Sequence, residues 1–391
     1  MNDAHRADAR AGVAVAPRTA AIAPGLSTWL DLARVIAAFM VYVGHAVLLE
    51  VTPSALSLTW WRSADDAVIA FFVLSGFVIA ATTRDRHASA GDYALARLSR
   101  VYSVALPALV VALALDLLGQ QLSAAPYADY LWKYDGAWRQ FVRHWLFLGE
   151  GWLGVTQPFT VLPYWSLAYE VWYYLLFGVC MFARGAWRWL GVAVLLVAMG
   201  PWMLMLLPLW WLGVLLSRRV TTWRIGPVAA AGWVLAGAGG YALLLVTGWR
   251  NALDGLSRAA YAWVSEASGW PFDGGSTVHV FPDYAVALLF AMVLTGCAHL
   301  RWTWPEGLTR VIRWLADHSF SFYLMHFPAL VFAQALGVHR AGWLGNAGVL
   351  AGTLLLTLAV AQVGERRRGA YRRAFARLGA ALSTRVARSA D

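Results

Sequence analysis

Arg34 and His45 are the two residues of this sequence whose types and spacing most directly indicate chemistry. They stand eleven positions apart within one long apolar stretch. Eleven steps of an α-helix return to within about 20° of the starting direction after a rise of about 16 Å. Both side chains therefore share one helix face. Because such groups are costly inside a membrane and usually face a protein interior or a wet cavity, we interpret them as two points along a substrate path.

Glu170 and His326 are the other ionisable residues that lie deep within apolar segments. His45 lies about 24 Å from the inner edge of its predicted span, and Glu170 lies about 10 Å below the outer edge of a ~30 Å core. A carboxylate beside an imidazole fixes its tautomer and raises its basicity, as a general base requires. We therefore expect Glu170 to contact His45. The alternative is a buried hydrogen-bonded pair that only holds two helices together.

Arg97 and Arg100 follow the second apolar segment and are neighbours on a helix. With Arg34 they can form a phosphate clamp, because a guanidinium offers a planar fork to an anion. The alternative is that Arg34 snorkels to the headgroups and that the other two are ordinary basic residues beside a span. Ser75, which precedes Gly76 in mid-span, is typical of close helix packing, and no nucleophile elbow surrounds it.

Membrane helices must position these residues. The 391 residues are 60% hydrophobic and 13% charged, whereas soluble domains carry about 25% charged residues. The sequence predicts an all-α polytopic membrane protein with about ten transmembrane helices and both termini cytoplasmic. The predicted spans, most of them near the ~20 residues that a crossing needs, are 29–50, 64–83, 101–119, 163–183, 187–205, 206–217, 226–247, 280–300, 316–336 and 343–363.

The division of 187–217 is open on hydropathy alone, since Gly200-Pro201 and Pro208 fit one kinked helix or two short ones. Charge favours two helices. With an even number of spans and both termini inside, most of the 31 lysines and arginines fall on the cytoplasmic side, as the positive-inside rule requires. The same distribution indicates contact with membrane lipid and excludes nucleic acid as the reason for the net charge of +10.

The predicted spans divide the chain into three parts. Residues 1–28 lack the apolar core and cleavage site of a secretory signal, and we expect a disordered cytoplasmic N-terminal segment. Residues 29–363 form the membrane domain, and residues 364–391 form a basic cytoplasmic tail. Cys180 and Cys297 have no metal-ligand spacing, so we predict no metal site.

Six stretches, in this order, resemble acyltransferase family 3, the membrane proteins that include bacterial O-acetyltransferases of surface polysaccharides. Each motif alone is weak, but six in register are specific, above all the R-x10-H first span and the W-S-L-x-x-E fourth. The stretches are LDLARVIAAFMVYVGH (30–45), FFVLSGFVIA (71–80), RLSR (97–100), LPYWSLAYEVWYY (162–174), SFSFYLMH (319–326) and GTLLLTLAVAQVGE (352–365).

The resemblance implies transfer of an acyl group, usually acetyl from acetyl-CoA, to a hydroxyl of a glycan or glycosylated acceptor at the outer face of the bacterial inner membrane. It implies no permanently bound cofactor, because acyl-CoA would be a donor substrate. In such a scheme His45 would activate the acceptor hydroxyl or relay the acyl group, and Glu170 would support that histidine. The further residues assigned on this basis are His326 as catalytic, Arg34, Arg97 and Arg100 as holding the coenzyme A phosphates, and Ser75, Trp165 and Tyr323 as substrate-binding.

The chain departs from the family pattern at its last motif. The family commonly has Glu-Pro after the last span, whereas Glu365 is followed by three arginines, 366–368. A hypothesis from another class is a secondary transporter or exporter of a lipid or glycan. Mid-membrane ionisable residues and a Gly-Pro-interrupted span suit it, but the two halves show no inverted-repeat similarity.

Overall fold

A computed structural model describes residues 22–51, 57–86, 89–152, 156–220, 222–270, 272, 274–338 and 342–390 of the chain. Helices account for 84% of the structure, and the described residues contain no strand. The predicted all-α class is therefore confirmed. The helices are α1 (Pro24–Leu48), α2 (Ser57–Arg86), α3 (Ala90–Leu122), α4 (Ala137–Trp145), α5 (Tyr164–Phe182), α6 (Gly185–Arg219), α7 (Pro227–Val246), α8 (Trp249–Ser268), α9 (Val280–His299), α10 (Glu306–Ala316), α11 (Ser319–Ala335), α12 (Gly342–Val363) and α13 (Arg368–Ala390).

Within the described residues, seven helices are long and apolar enough to cross a membrane by length and composition. The predicted count of about ten and the cytoplasmic termini stay predictions. Helices α5 and α11 are not among the seven, although both coincide with predicted spans. They are shorter and carry many polar and aromatic residues, and most of α11 is buried against protein. Such helices need not be apolar all round, because protein and not lipid surrounds them.

Helix α6 reverses direction at Gly200. This residue has φ 73° and ψ 175°, a backbone conformation that glycine adopts at little cost. The side chain of Arg188 donates to the Ala183 carbonyl oxygen at 2.7 Å, and that of Arg218 lies 3.9 Å from the sulfur of Met181. Both ends of α6 therefore lie beside the C-terminal end of α5. The run forms two short antiparallel segments, and the break falls at Gly200 and not at the predicted 205/206 boundary.

Two glycines bring α2 and α6 into close contact. A Cβ on Gly76 would lie 2.0 Å from the carbonyl oxygen of Trp210, and a Cβ on Gly213 would lie 2.0 Å from that of Val73. Because neither site has room for a side chain, the two backbones touch. The packing role predicted for the Ser75-Gly76 pair is therefore confirmed.

The site is enclosed by α1, α2, α3, α5 and α11. Helix α1 packs on α2, α10 and α11, whereas α5 packs mainly on α6 and α3. We call the end of the bundle where α1 begins the first end. There Asp31 lies close to Arg34, Arg100 and Arg313. At the opposite end α8 is tied to α2 by a buried ion pair between Arg250 and Asp66, with an Nη1 to Oδ1 distance of 2.7 Å.

Residues on both sides of the predicted membrane domain, 29–363, are also helical. Helix α1 begins at Pro24, so residues 24–28 are helical, and residues 1–21 lie outside the described part. Residues 368–390 of the predicted tail form α13. This helix packs on α3, so the basic segment belongs to the folded body.

Candidate active site

A cavity of about 570 Å³ lies between α1, α2, α3, α5 and α11, and α13 completes its wall at the first end. Apolar residues such as Phe71 and Phe72 form much of the lining. A cavity with a few convergent polar groups on an apolar wall is the usual form of a small-molecule site. The polar side chains of the lining include Arg34, Ser75, Asp92, Arg97, Arg100, Ser166, Glu170, Tyr174, Tyr323, Arg368 and Arg372.

The three arginines predicted to act together all line this cavity. Arg34 donates a hydrogen bond to Asp31, one turn earlier in α1. The guanidinium carbon of Arg97 lies 5.7 Å from the ring centre of Tyr174, a cation–π distance. The Nε atoms of Arg34 and Arg97 are buried with no hydrogen-bond partner among the described residues. Donors of this kind remain available to an anion that enters the cavity.

Two cavity arginines, Arg368 and Arg372, were missed by the sequence analysis. They belong to α13, and their i, i+4 spacing places them on one face of that helix. The arginine-rich run after Gly364 is the sequence feature that contains them. Basic residues beside a last span indicate a contact with lipid, and nothing in their pattern predicts that α13 packs on α3 at the cavity.

Glu170 lies in the same cavity and is held by two hydroxyl groups. The Ser75 and Tyr174 hydroxyls both donate to its Oε1. The indole Nε1 of Trp210 donates to the Ser75 Oγ at 3.2 Å. The carboxylate is thus oriented by side chains of α2, α5 and, through serine, α6. Ser75 therefore acts as a hydrogen-bond donor to this carboxylate.

His45 and His326 form a hydrogen-bonded pair between α1 and α11. The Nδ1 atom of His45 lies 2.8 Å from the Nε2 atom of His326, and the two rings are inclined by only 12°. One turn earlier on each helix, the rings of Tyr42 and Phe322 pack together, with centroids 5.5 Å apart. This aromatic contact sets the register that brings the two imidazoles together. His326 is fully buried, whereas His45 is partly exposed.

The hydrogen bonds of the pair determine its neutral tautomers. His326 Nδ1 lies 3.2 Å from the carbonyl oxygen of Phe322, which can only accept, so Nδ1 carries the proton and Nε2 presents a lone pair. The Nδ1–H of His45 then donates to that lone pair. His45 Nε2 is left unprotonated. The two hydrogen bonds therefore orient His45 as a base. In many proteins a carboxylate that accepts from Nδ1–H has this role, and here His326 has it.

The expected contact between His45 and Glu170 is wrong, because His45 pairs with His326 and Glu170 binds Ser75 and Tyr174. Two residues at the same depth in the membrane can still face different neighbouring helices, so equal depth alone does not predict a contact. Helix α1 packs on α2 and α11, and α5 lies beyond these two helices.

Tyr323 connects the cavity with the histidine pair. It lines the cavity, its hydroxyl lies 2.6 Å from Ser166 Oγ, and its ring centre lies 6.1 Å from that of His326. Trp165, predicted to bind substrate with Tyr323 and Ser75, is not part of the lining. Its ring packs edge-on against Tyr169, with centroids 5.3 Å apart. The sequence places Trp165 one residue from Ser166, but the helix turns the two side chains in different directions.

The fold and the cavity together define a helical membrane protein with an internal small-molecule site. The family model for the acyltransferase domain of acyltransferase family 3 matches residues 27–364. The chain therefore belongs to this family and is a membrane acyltransferase. No curated protein matches the chain, and no solved structure does. The match contains every residue predicted for the site, whereas Arg368 and Arg372 lie beyond it.

Proposed function

We propose that this protein moves an acyl group, in the first instance acetyl, from acyl-CoA at the cytoplasmic face to a hydroxyl of a glycan or glycosylated acceptor at the outer face. The observation that carries the proposal is the composition of one cavity. Arginines line its first end, and Tyr323, which also lines it, packs beside His326, the hydrogen-bond partner of His45. The two histidines are not among the described residues that line the cavity. The first end of the bundle would be the cytoplasmic one.

The charge of the cavity suits the anionic half of such a donor. Guanidinium groups bind phosphate through charge-assisted and often bidentate hydrogen bonds. Arg34, Arg97 and Arg100 would hold the diphosphate, using donors that include two unpartnered Nε atoms. Aromatic and aliphatic side chains farther inside would receive the uncharged pantetheine arm.

The length of the path suits the donor as well. Arg34 and His45 lie on one helix about 16 Å apart along its axis. Acyl-CoA is an elongated molecule, with its phosphates at one end and its thioester at the other. A donor whose phosphates bind the arginines would therefore direct its thioester towards the histidine pair.

In the reaction, His45 Nε2 would take the proton of the acceptor hydroxyl while the oxygen attacks the thioester carbonyl carbon. The carbon–sulfur bond then breaks, and the same proton passes to the departing sulfur, which leaves an ester and free coenzyme A. The positive charge that develops on His45 is stabilised by the hydrogen bond from its Nδ1–H to His326. Glu170, held by Ser75 and Tyr174, would orient the arginines of α3 and offset part of their charge.

Incubation of purified protein with acetyl-labelled acetyl-CoA and glycan fractions of its host tests this proposal. The wild type should transfer label to one fraction. His45→Ala should reduce the rate by about 10²- to 10⁴-fold, the usual contribution of a general base. His299→Ala is the matched control, because His299 bonds only to backbone carbonyls of Thr295 and Trp223 among described residues. Unchanged transfer by His45→Ala, or export of glycan without any transfer of label, would refute the proposal.

A further inference from the structure

Arg368 and Arg372 have no part in the function proposed above, yet both line the cavity. They are one helical turn apart and so project from one face of α13. The residues matched by the family end at 364, which places this helix outside the shared domain. The family match therefore does not include these two arginines.

Contacts on both sides of the turn before α13 fix where that helix begins. The Glu365 carboxylate accepts hydrogen bonds from the backbone N–H and the hydroxyl of Ser321, at 3.2 and 3.0 Å. A Cβ on Gly364 would lie 2.4 Å from the carbonyl oxygen of Ser103, so the chain passes against the backbone of α3 at this point. The start of α13 is therefore anchored to both α11 and α3.

Further contacts hold α13 along α3. The Nη2 of Arg368 donates to the Ala96 carbonyl oxygen at 3.3 Å. Two turns later, the ring of Phe375 packs on that of Tyr102, with centroids 5.5 Å apart. The Arg368 and Arg372 face is thus held at the first end of the cavity. Arg368 is partly buried, and Arg372 is exposed at the mouth.

Positive charge accumulates where α13 meets α3, although Arg34 is paired with Asp31 and Arg100 lies close to Glu365. Arg368 lies close to Arg97, Arg100 and Arg372. Two carboxylates, Asp92 and Glu170, are among the lining residues, against five arginines. Like charges at short distance in a partly buried site repel one another, and a polyanion that binds among them removes that repulsion. The arrangement therefore suits a ligand with more than one phosphate group.

We propose that Arg368 and Arg372 bind the 3′-phosphate of coenzyme A and make the enzyme selective for the complete coenzyme. This inference rests on the proposed function. In acyl-CoA the thioester, the pantetheine arm, the diphosphate and the 3′-phosphorylated nucleoside follow one another in that order. If the diphosphate binds the arginines of α1 and α3, the last phosphate lies nearest the mouth, where α13 presents its two guanidinium groups.

The test compares acetyl-CoA with acetyl-dephospho-CoA, which lacks only the 3′-phosphate. The wild type should have a KM about 10- to 100-fold higher for the dephospho donor, since the charge-assisted contacts to the 3′-phosphate are lost, and solvent at the mouth weakens each of these contacts. In the double variant Arg368→Gln/Arg372→Gln this ratio should fall to about one, through a higher KM for acetyl-CoA. The matched control is Arg373→Gln/Arg377→Gln, an exposed i, i+4 pair of the same helix that does not line the cavity, and it should keep the wild-type ratio.

Equilibrium binding of coenzyme A and dephospho-coenzyme A to the same proteins separates this inference from the proposed function. Transfer by the wild type with equal KM for both donors would overturn the inference alone. An equal loss for both donors in the Arg368/Arg372 variant would do the same, because it would indicate general damage to the fold. Phosphate-dependent binding without any transfer would support the inference and refute the transferase function. Absence of both binding and transfer would refute both.

Discussion

Replacement of His326 distinguishes an orienting partner from a proton carrier in the histidine pair. His326→Leu removes the acceptor of the His45 Nδ1–H, whereas His326→Gln can keep an oxygen acceptor near the position of Nε2. The hydrogen bond in question is 2.8 Å long and links the buried His326 to His45. If His326 orients His45 and stabilises its charged form, the glutamine variant should retain most of the activity that the leucine variant loses.

The size of the effect follows from the charge that forms on His45 during transfer. A hydrogen bond to a charged group contributes about 1.5–3 kcal/mol, and each 1.36 kcal/mol changes a rate tenfold. His326→Leu should therefore lower kcat by about 10- to 150-fold. The arginines that would bind acetyl-CoA line the cavity, whereas His326 is not among its lining residues. The KM for acetyl-CoA should therefore change little.

The assay is initial-rate transfer of labelled acetyl at saturating acceptor, with thermal unfolding measured on the same preparations. An unsatisfied buried N–H costs about 1–3 kcal/mol, so His326→Leu should also unfold at a lower temperature. His326→Gln should stay within about tenfold of the wild type. A glutamine variant as inactive as the leucine variant would refute the orienting role and indicate that His326 itself carries the proton.

Two further predictions concern stability. Gly213→Ala should lower the free energy of unfolding by about 1–3 kcal/mol, because its Cβ would lie 2.0 Å from the Val73 carbonyl oxygen. The control is Gly232→Ala, since a Cβ at Gly232 would have no atom within contact distance. Equal melting temperatures of the two variants would contradict the close packing of α2 on α6. Burial raises the pKa of the Glu150 carboxyl to about 9, although Arg143 lowers it. The buried carboxyl is therefore favourable only while it is protonated. Its contribution to the free energy of unfolding is complete below about pH 4.5, the ordinary pKa, and is lost as the pH rises towards 9. Glu150→Gln should raise the melting temperature more at pH 8 than at pH 5, and an equal change at both pH values would show that the carboxyl does not titrate in this range.

The all-α class and several residues that line the cavity could be predicted from sequence, because membrane burial imposes strong local rules. Apolar segments near ~20 residues are read directly from composition. Polar residues within such segments are rare and usually face protein. Arg34 and Ser75 line the cavity for this reason. The break in α6 was also visible, since Gly200-Pro201 marks it in an apolar run.

The partners of the ionisable residues could not be predicted, because depth along a helix leaves the direction around the bundle undetermined. His45 was expected to meet Glu170, and it meets His326. Matching depths favour the pairing of His45 with Glu170, but depth does not decide which neighbouring helix a side chain faces. The contact between Tyr42 and Phe322, which depends on how α1 and α11 pack, selects the histidine pair.

Sequence by itself determined that this chain is a helical membrane protein with arginines near one end of a polar path and a histidine farther along it. Those properties depend on the helical repeat and on the cost of polar groups in lipid, and both are local. Only the tertiary structure decided that α13 returns along α3 to add Arg368 and Arg372 to the cavity. That outcome depends on contacts between segments more than 250 residues apart, such as the Arg368 to Ala96 hydrogen bond with its separation of 272.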